Sequence, residues 1–151
     1  METLQMQLLS PKLGDTIPLP KYETPGSAGL DLRACIDAPL ILAPGALVLV
    51  PTGLAVALPS SAFVALLFAR SGLAARHGVA LSNGVGVIDS DYRGEIKVAL
   101  TNLSQTPYEI KPGDRICQLA VLPVTQTILS FVDCLPKTQR GEGGFGSTGR
   151  A

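Results

Sequence analysis

Ala43-Pro-Gly-Ala-Leu-Val-Leu-Val-Pro-Thr-Gly-Leu-Ala-Val-Ala-Leu58 sets the reading of the whole chain. Its apolar residues are fenced by Pro44-Gly45 and interrupted by Pro51-Thr52-Gly53, the turn chemistry that punctuates strands. The same rhythm recurs on both sides. Short apolar segments end at Gly or Pro roughly every 8–12 residues, the spacing of an all-β sandwich or barrel. The predicted strands are Gln5–Leu9, Leu30–Ala34, Leu47–Leu58, Ala62–Phe68, Val79–Leu81, Glu95–Asn102, Tyr108–Ile110, Arg115–Val124 and Thr127–Phe131. One short helix is predicted over Gly72–His77. Strands do not alternate with helices, which excludes a parallel dinucleotide-binding sheet, and no internal repeat is evident. The apolar pattern stops after Leu135. Residues 1–135 therefore read as one β domain, and 136–151 as an arm with too little apolar surface to fold by itself.

The chain has 151 residues, a length that suits one domain with a real core. Only 16% are charged, against roughly 25% in ordinary soluble domains. A chain this short of polar surface is expected to oligomerise. Its 12 Lys and Arg balance 12 Asp and Glu, so a broad basic face is excluded. Nonspecific binding to a nucleic-acid polymer or a membrane surface is excluded with it, and an anionic partner must be held locally. Cys35, Cys117 and Cys134 form no CxxC pair and His77 is the only histidine, so neither a disulfide framework nor a zinc site is expected. The cysteines sit in apolar runs and read as small buried hydrophobes. Met1–Leu9 has neither a basic stretch nor a long apolar run, so no signal peptide or membrane span is expected and a reduced, cytoplasmic setting fits. His77, ending a short helix, reads as a C-terminal cap.

Five segments carry more chemistry than strand or turn filler needs. In Ala28-Gly-Leu-Asp-Leu-Arg-Ala34, alternation puts Asp31 on the face opposite Leu30 and Leu32, as a solvated edge carboxylate or a functional one. Ala69-Arg-Ser-Gly-Leu-Ala74 leaves a strand and opens the helix. There Arg70, the Ser71 hydroxyl and backbone N–H groups near Gly72 suit an anion, unless Ser71 merely caps the helix. The third segment, Asn83-Gly-Val-Gly-Val-Ile-Asp-Ser-Asp-Tyr-Arg-Gly-Glu-Ile96, is the most informative. Its first half reads as a hairpin in which the Asn83-Gly84 start and Gly86 allow positive φ and present backbone groups to a flat ligand. Its second half gathers Asp89, Asp91, Tyr92 and Arg93. Two nearby carboxylates suit a general base, a metal ligand or a capped turn. No helix follows, so the Gly-x-Gly is not a dinucleotide fingerprint. In Gly113-Asp-Arg-Ile-Cys-Gln-Leu119, Asp114 and Arg115 read as a local pair, and Gln118 is an isolated amide in an apolar strand that asks for a partner. Arg140-Gly-Glu-Gly-Gly-Phe-Gly-Ser-Thr-Gly149 combines glycines, hydroxyls and an arginine suited to phosphate oxygens with Phe145, suited to stacking on a base; a plain flexible tail is the alternative. Five of the seven arginines and none of the five lysines lie in these segments, and the planar guanidinium fork fits phosphate.

Taken in order, the five segments resemble the five motifs of the trimeric dUTP pyrophosphatase (dUTPase) family, bacterial type, from Ala28 to the end of the chain and with no departure at a motif position. The resemblance implies a jelly-roll-like β fold assembled as a homotrimer, with active sites at subunit interfaces, each closed by the C-terminal arm of another subunit. It implies hydrolysis of dUTP to dUMP and pyrophosphate, with Mg2+ carried on the triphosphate and its waters rather than by protein ligands. By position, Asp89 is the general base that activates a water against the α-phosphorus. Arg70, Ser71, Gly72 and Gln118 hold phosphates, joined from the arm by Arg140, Gly146, Ser147 and Thr148. Uracil falls to the hairpin from Asn83 to Asp89, read by Asn83 and by backbone groups at Val87 and Ile88. Tyr92 lies under the sugar and leaves no room for a 2′-hydroxyl, Lys97 contacts the nucleotide just beyond the motif, and Phe145 stacks on the base. Asp31 has a supporting part, through water, metal or the base.

Two other activities suit the same fold. A dCTP deaminase would lack the Asp89–Gly94 run and place a catalytic glutamate in the pocket. A non-catalytic dUTP-binding regulatory module would not need Asp89 and the arm. A purely structural sandwich would require all five segments to coincide by chance.

Overall fold

The computed structural model describes residues 2–144. Among these the chain forms eleven strands and one helix. In order they are β1 (Gln5–Leu8), β2 (Leu30–Arg33), β3 (Leu40–Leu42), β4 (Leu47–Pro51), β5 (Leu54–Ala57), β6 (Phe63–Phe68), α1 (Ser71–His77), β7 (Val79–Leu81), β8 (Gly86–Ile88), β9 (Lys97–Asn102), β10 (Tyr108–Ile110) and β11 (Arg115–Pro123). Every named strand pairing is antiparallel. The largest sheet has the order β2-β11-β6-β8, a second the order β4-β9-β7, and β1-β5 and β3-β10 form two-stranded ribbons. The architecture is a jelly-roll-like β-sandwich. All four sheets contribute to one core, in which Leu32, Val50, Leu54, Ala65, Val79, Val98, Leu100, Ile110 and Leu119 are essentially inaccessible. Side-chain alternation explains how one strand serves both core and site: on β9, Val98 and Leu100 point inward while Lys97 and Ala99 face out toward a cleft.

The predicted strands are found within a residue or two, with four differences. The run Leu47–Leu58 is two strands in different sheets. Gly53 has φ +69°, and a Cβ there would sit 2.9 Å from Cys35 Sγ, so the chain turns at a position that suits glycine. Beside it the buried Thr52 hydroxyl donates to Ile96 O at 2.7 Å and locks the turn. Leu40–Leu42, not among the predicted strands, becomes one because β10 pairs with it. Gly86–Ile88 is a strand of the large sheet, and Gly86 shows no positive φ. Its lack of a side chain serves close approach instead, since a Cβ would lie 3.0 Å from Leu67 Cβ on β6. Thr127–Phe131 is not a strand. Ile128 is 99% and Phe131 94% exposed, so within one chain the run has no apolar surface to pair against.

One buried polar network was invisible beforehand. Asn102 is fully buried, donates to Leu42 O at 2.9 Å and Thr106 O at 2.7 Å, and accepts from Ser104 N at 2.9 Å, tying β9 to β3 and to the loop before β10. The cysteines divide. Cys117 is buried, which pushes its thiol up to about 12, helped by the charge of Asp31; Cys35 is half-buried; and Cys134 is exposed, contrary to the expectation of a buried hydrophobe. Gly78, in the left-handed conformation, closes α1, and His77 in the last turn tilts against Tyr108 with ring centres 4.9 Å apart.

Candidate active site

β8 is the edge strand of the large sheet and is paired only to β6, so its other edge leaves backbone N–H and C=O groups unpaired. That edge borders a cleft of about 390 Å3 lined by Asn83, Gly86, Val87, Ile88, Asp89, Tyr92 and Lys97, with Leu49, Leu81 and Ala99 as apolar wall. A ring with alternating donors and acceptors can be read here by main chain alone. The loop that follows is a built turn: Tyr92 N donates to Asp89 O at 3.2 Å, and the Arg93 guanidinium donates to Ser90 O at 2.8 Å. Asp89 itself is exposed at the cleft. The Tyr92 ring folds back over Gly94, where a Cβ would overlap it, and its hydroxyl donates to Glu95 O at 3.0 Å. Glu95 in turn accepts from Gly53 N at 2.9 Å and lies 3.8 Å from Lys97 Nζ.

A second cleft, about 540 Å3, is of opposite character. Arg33, Arg70, Arg76, Arg115 and His77 line it together with Ser71, Gly72 and Tyr108. Ser71 is the first residue of α1 and its hydroxyl is not a cap; Arg70 holds the N-cap position without a side-chain cap bond. Burial pushes the Tyr108 phenol up, with Asp114 adding to the shift. Four arginines, against the one acid Asp114 in the lining and Asp31 behind it, leave a net positive cleft that suits a polyanion.

Asp31 is not the solvated edge carboxylate that alternation allowed. It is 8% exposed; Arg70 Nε donates to its Oδ1 at 2.9 Å and Arg115 donates to its Oδ2 at 3.1 Å. Arg115 consequently does not pair with Asp114, whose Oδ2 accepts from Lys111 N at 2.8 Å instead. Gln118 stands directly across from Asp31 in the β2-β11 ladder, and it is exposed rather than buried, so it needs no partner within the chain. Arg140 is exposed, and its Nε donates to Gly143 O at 2.8 Å, away from both clefts. Phe145, Gly146, Ser147 and Thr148 lie outside the described residues. Arg33, Arg76 and Arg115 went unnoticed as candidates because only the folded sheet brings them to one wall; their sequence neighbours give no sign of it.

The two clefts share no residue, and β6 explains why. The β6-β8 register carries Asp89 to the level of Val64, at one end of β6, whereas Arg70 follows the other end. Six residues of extended chain separate those levels by about 20 Å. Asp89 and Arg70 therefore stand far apart on one chain, although the first cleft itself extends back to Gly86, opposite Leu67.

Comparison with known proteins places the chain in a family. The dUTPase family model matches residues 15–149. The chain is 49% identical to the deoxyuridine 5'-triphosphate nucleotidohydrolase of Tolumonas auensis over 150 residues, covering 99% of each, and 49% identical to that of Idiomarina loihiensis over 151 residues, covering all of both. Its fold superposes on the dUTPase of Staphylococcus bacteriophage 80alpha, solved with dUPNHPP, at a TM-score of 0.86 with 26% identity over 99% of this chain and 100% of that one. With the family model spanning nearly the whole chain and relatives matched end to end, this protein belongs to the dUTPase family.

Proposed function

We propose that the chain hydrolyses dUTP to dUMP and pyrophosphate in active sites shared between copies of itself in a homotrimer. One observation carries the shared-site reading: Asp89 and the arginine cleft stand at opposite ends of β6, too far apart for one chain to complete a site. The first cleft of one copy, facing the second cleft of its neighbour, does complete it. The low charge content and the exposed Leu47, Leu49, Val87 and Phe131 supply apolar surface for such contacts. The arm over 136–151 closes the site of another copy, bringing Arg140, Ser147 and Thr148 to the phosphates with Gly146 between them and Phe145 onto the uracil.

Each residue then has a physical task. The free edge of β8 with Asn83 reads the uracil face, rejecting cytosine because a buried donor would meet a donor, and rejecting thymine because the tight hairpin has no room for the 5-methyl. Tyr92, fixed by Glu95 O and Gly94, fills the space that a ribose 2′-hydroxyl would need. Lys97 lies along the nucleoside. Arg70, Ser71, Gly72 and Gln118 hold phosphate oxygens in line. Asp89 accepts a proton from water as that water's oxygen bonds the α-phosphorus; the bond from the α-phosphorus to the bridging oxygen breaks, and pyrophosphate leaves with the bond's electron pair. Asp89 and Asp91 are exposed carboxylates, and no third acid, His or Cys gathers with them among the described residues, so a Mg2+ fits as a rider on phosphate oxygens and waters. Bound there, the ion neutralises triphosphate charge; alignment is left to the protein. The reaction supplies dUMP for thymidine nucleotide synthesis and keeps uracil out of DNA, in a cytoplasmic setting. Among the described residues no helix is long and apolar enough to cross a membrane.

The test is pyrophosphate release from dUTP, dTTP, dCTP and UTP, with solution mass on the same sample. Release from dUTP alone by a particle of three chains is expected. Ammonia release from dCTP, or nucleotide binding without turnover, would overturn the activity, and an active monomer would overturn the sharing.

A further inference from the structure

The stretch that enters β9 is stitched to the turn between β4 and β5, although 42 residues separate Glu95 from Gly53 in sequence. Thr52 N and the Thr52 hydroxyl both donate to Ile96 O, at 3.2 and 2.7 Å, and Ile96 N donates to Leu54 O at 2.7 Å. Gly53 lies between the two strands, outside both ladders, and its buried N–H goes to a side chain instead, Glu95 Oε1 at 2.9 Å. A buried N–H is costly to leave unpaired and binds a carboxylate strongly, so this bond pins Glu95. The main chain of Glu95 has a different partner. Its carbonyl accepts from the Tyr92 hydroxyl at 3.0 Å, and that carbonyl shares one planar peptide unit with Ile96 N. The plane is thus held on one side by Leu54 O and at the preceding Cα by the carboxylate on Gly53, with its oxygen presented to the phenol. Tyr92 lies in no strand and is 46% exposed, so its ring is held by this bond and by contact with Gly94 rather than by a packed core.

We propose that Glu95 is a positioning residue for sugar selection: by bonding Gly53 N it holds the carbonyl that keeps the Tyr92 ring where a ribose 2′-hydroxyl would fall. This rests on the dUTP reading above and on the place of Tyr92 in it. A wall rejects one added hydroxyl only as firmly as the wall is held, and a ring on an irregular loop swings aside unless something fixes its far end. The hydroxyl is that far end. The β4-β5 turn thereby takes part in the specificity of the nucleoside cleft, although neither Thr52 nor Gly53 lines it.

The experiment measures kcat/KM for dUTP and for UTP, by pyrophosphate release, on the wild-type protein, Glu95→Ala, Glu95→Gln, Tyr92→Phe and the double variant Glu95→Ala with Tyr92→Phe. A smaller folded fraction scales both rates alike, so their ratio reads sugar selection alone. Glu95→Ala is expected to reduce the preference for dUTP over UTP about tenfold, the weight of one charge-assisted hydrogen bond. An unchanged ratio overturns the proposal. Glu95→Gln keeps an oxygen for Gly53 N and is expected to stay within about twofold of the wild-type ratio. A fall as large as that of Glu95→Ala places the effect in the charge rather than in the bond, and overturns it. Tyr92→Phe lacks the hydroxyl, so adding Glu95→Ala to it is expected to lower the ratio no further; losses that multiply mark two independent contributions and also overturn it. Should Glu95→Ala fail to fold, Glu95→Asp, one methylene short of Gly53 N, decides by the same ratio. The wild-type protein tests the underlying reading separately. If it uses dUTP no better than UTP, or uses neither, the dUTP reading and the proposal fall together, whereas a wild-type preference that the variants leave intact removes the proposal alone.

Discussion

Asp89 and Asp31 are both aspartates in motif segments, and their surroundings give them opposite work. Asp89 is exposed at the first cleft, where it can accept a proton from water, whereas Asp31 is buried with each oxygen accepting from an arginine. Replacing Asp89 by Asn keeps the shape but removes the charge and the base. Turnover should fall by about two to four powers of ten while a non-hydrolysable dUTP analogue binds within a few-fold of wild type. Pyrophosphate release and analogue titration check this together, and near-normal turnover would remove Asp89 from its role. Gly94 is a quieter residue with an equally specific consequence. Because a Cβ there would run into the Tyr92 ring, Gly94→Ala should swing the ring away from the sugar and reduce the preference for dUTP over UTP about tenfold or more, read as the ratio of the two kcat/KM values. An unchanged ratio would show that Tyr92 does not guard the 2′ position.

At the scale of elements, β6 is the spacer that sets Asp89 and Arg70 at opposite ends, and the Thr52-Gly53 turn is the joint that moves the chain from the β4 sheet to the β1-β5 ribbon. That joint ties to the site, since Gly53 N donates to Glu95, which lines the nucleoside cleft with Lys97. Gly53→Ala should cost about 2 kcal/mol from the left-handed backbone, with crowding against Cys35 Sγ added. A thermal midpoint lower by about 5 °C is expected, with dUTP turnover at low temperature little changed. An unshifted midpoint would mean that the turn relaxes freely. Strand punctuation was legible because Gly and Pro act locally. The strands β3 and β8 were not, because they form by pairing with β10 and β6, partners that the fold sets.

For the whole molecule, separation of the clefts makes sharing testable by mixing. In the proposed homotrimer Asp89→Asn impairs the first cleft and Arg70→Gln the second, so trimers containing only one of these variants would have every site damaged. Mixed trimers, formed by unfolding the two proteins together and refolding them, bring an unaltered first cleft against an unaltered second cleft, and an appreciable fraction of wild-type pyrophosphate release should return. Absence of any recovery would place the complete site within one chain. The amino-acid sequence by itself determined the β class, the short helix, the five chemical segments and the neutral, charge-poor surface, since these depend on residue type, spacing and turn chemistry that act over a few positions. Tertiary structure alone decided that Asp31 meets Arg70 and Arg115, that Arg33 and Arg76 join them in one wall, and that Asp89 and Arg70 stand at opposite ends of β6. Those facts depend on strand pairing, on a bulge and on the length of β6, which bring together or hold apart residues far separated along the chain, and no local pattern encodes such distances.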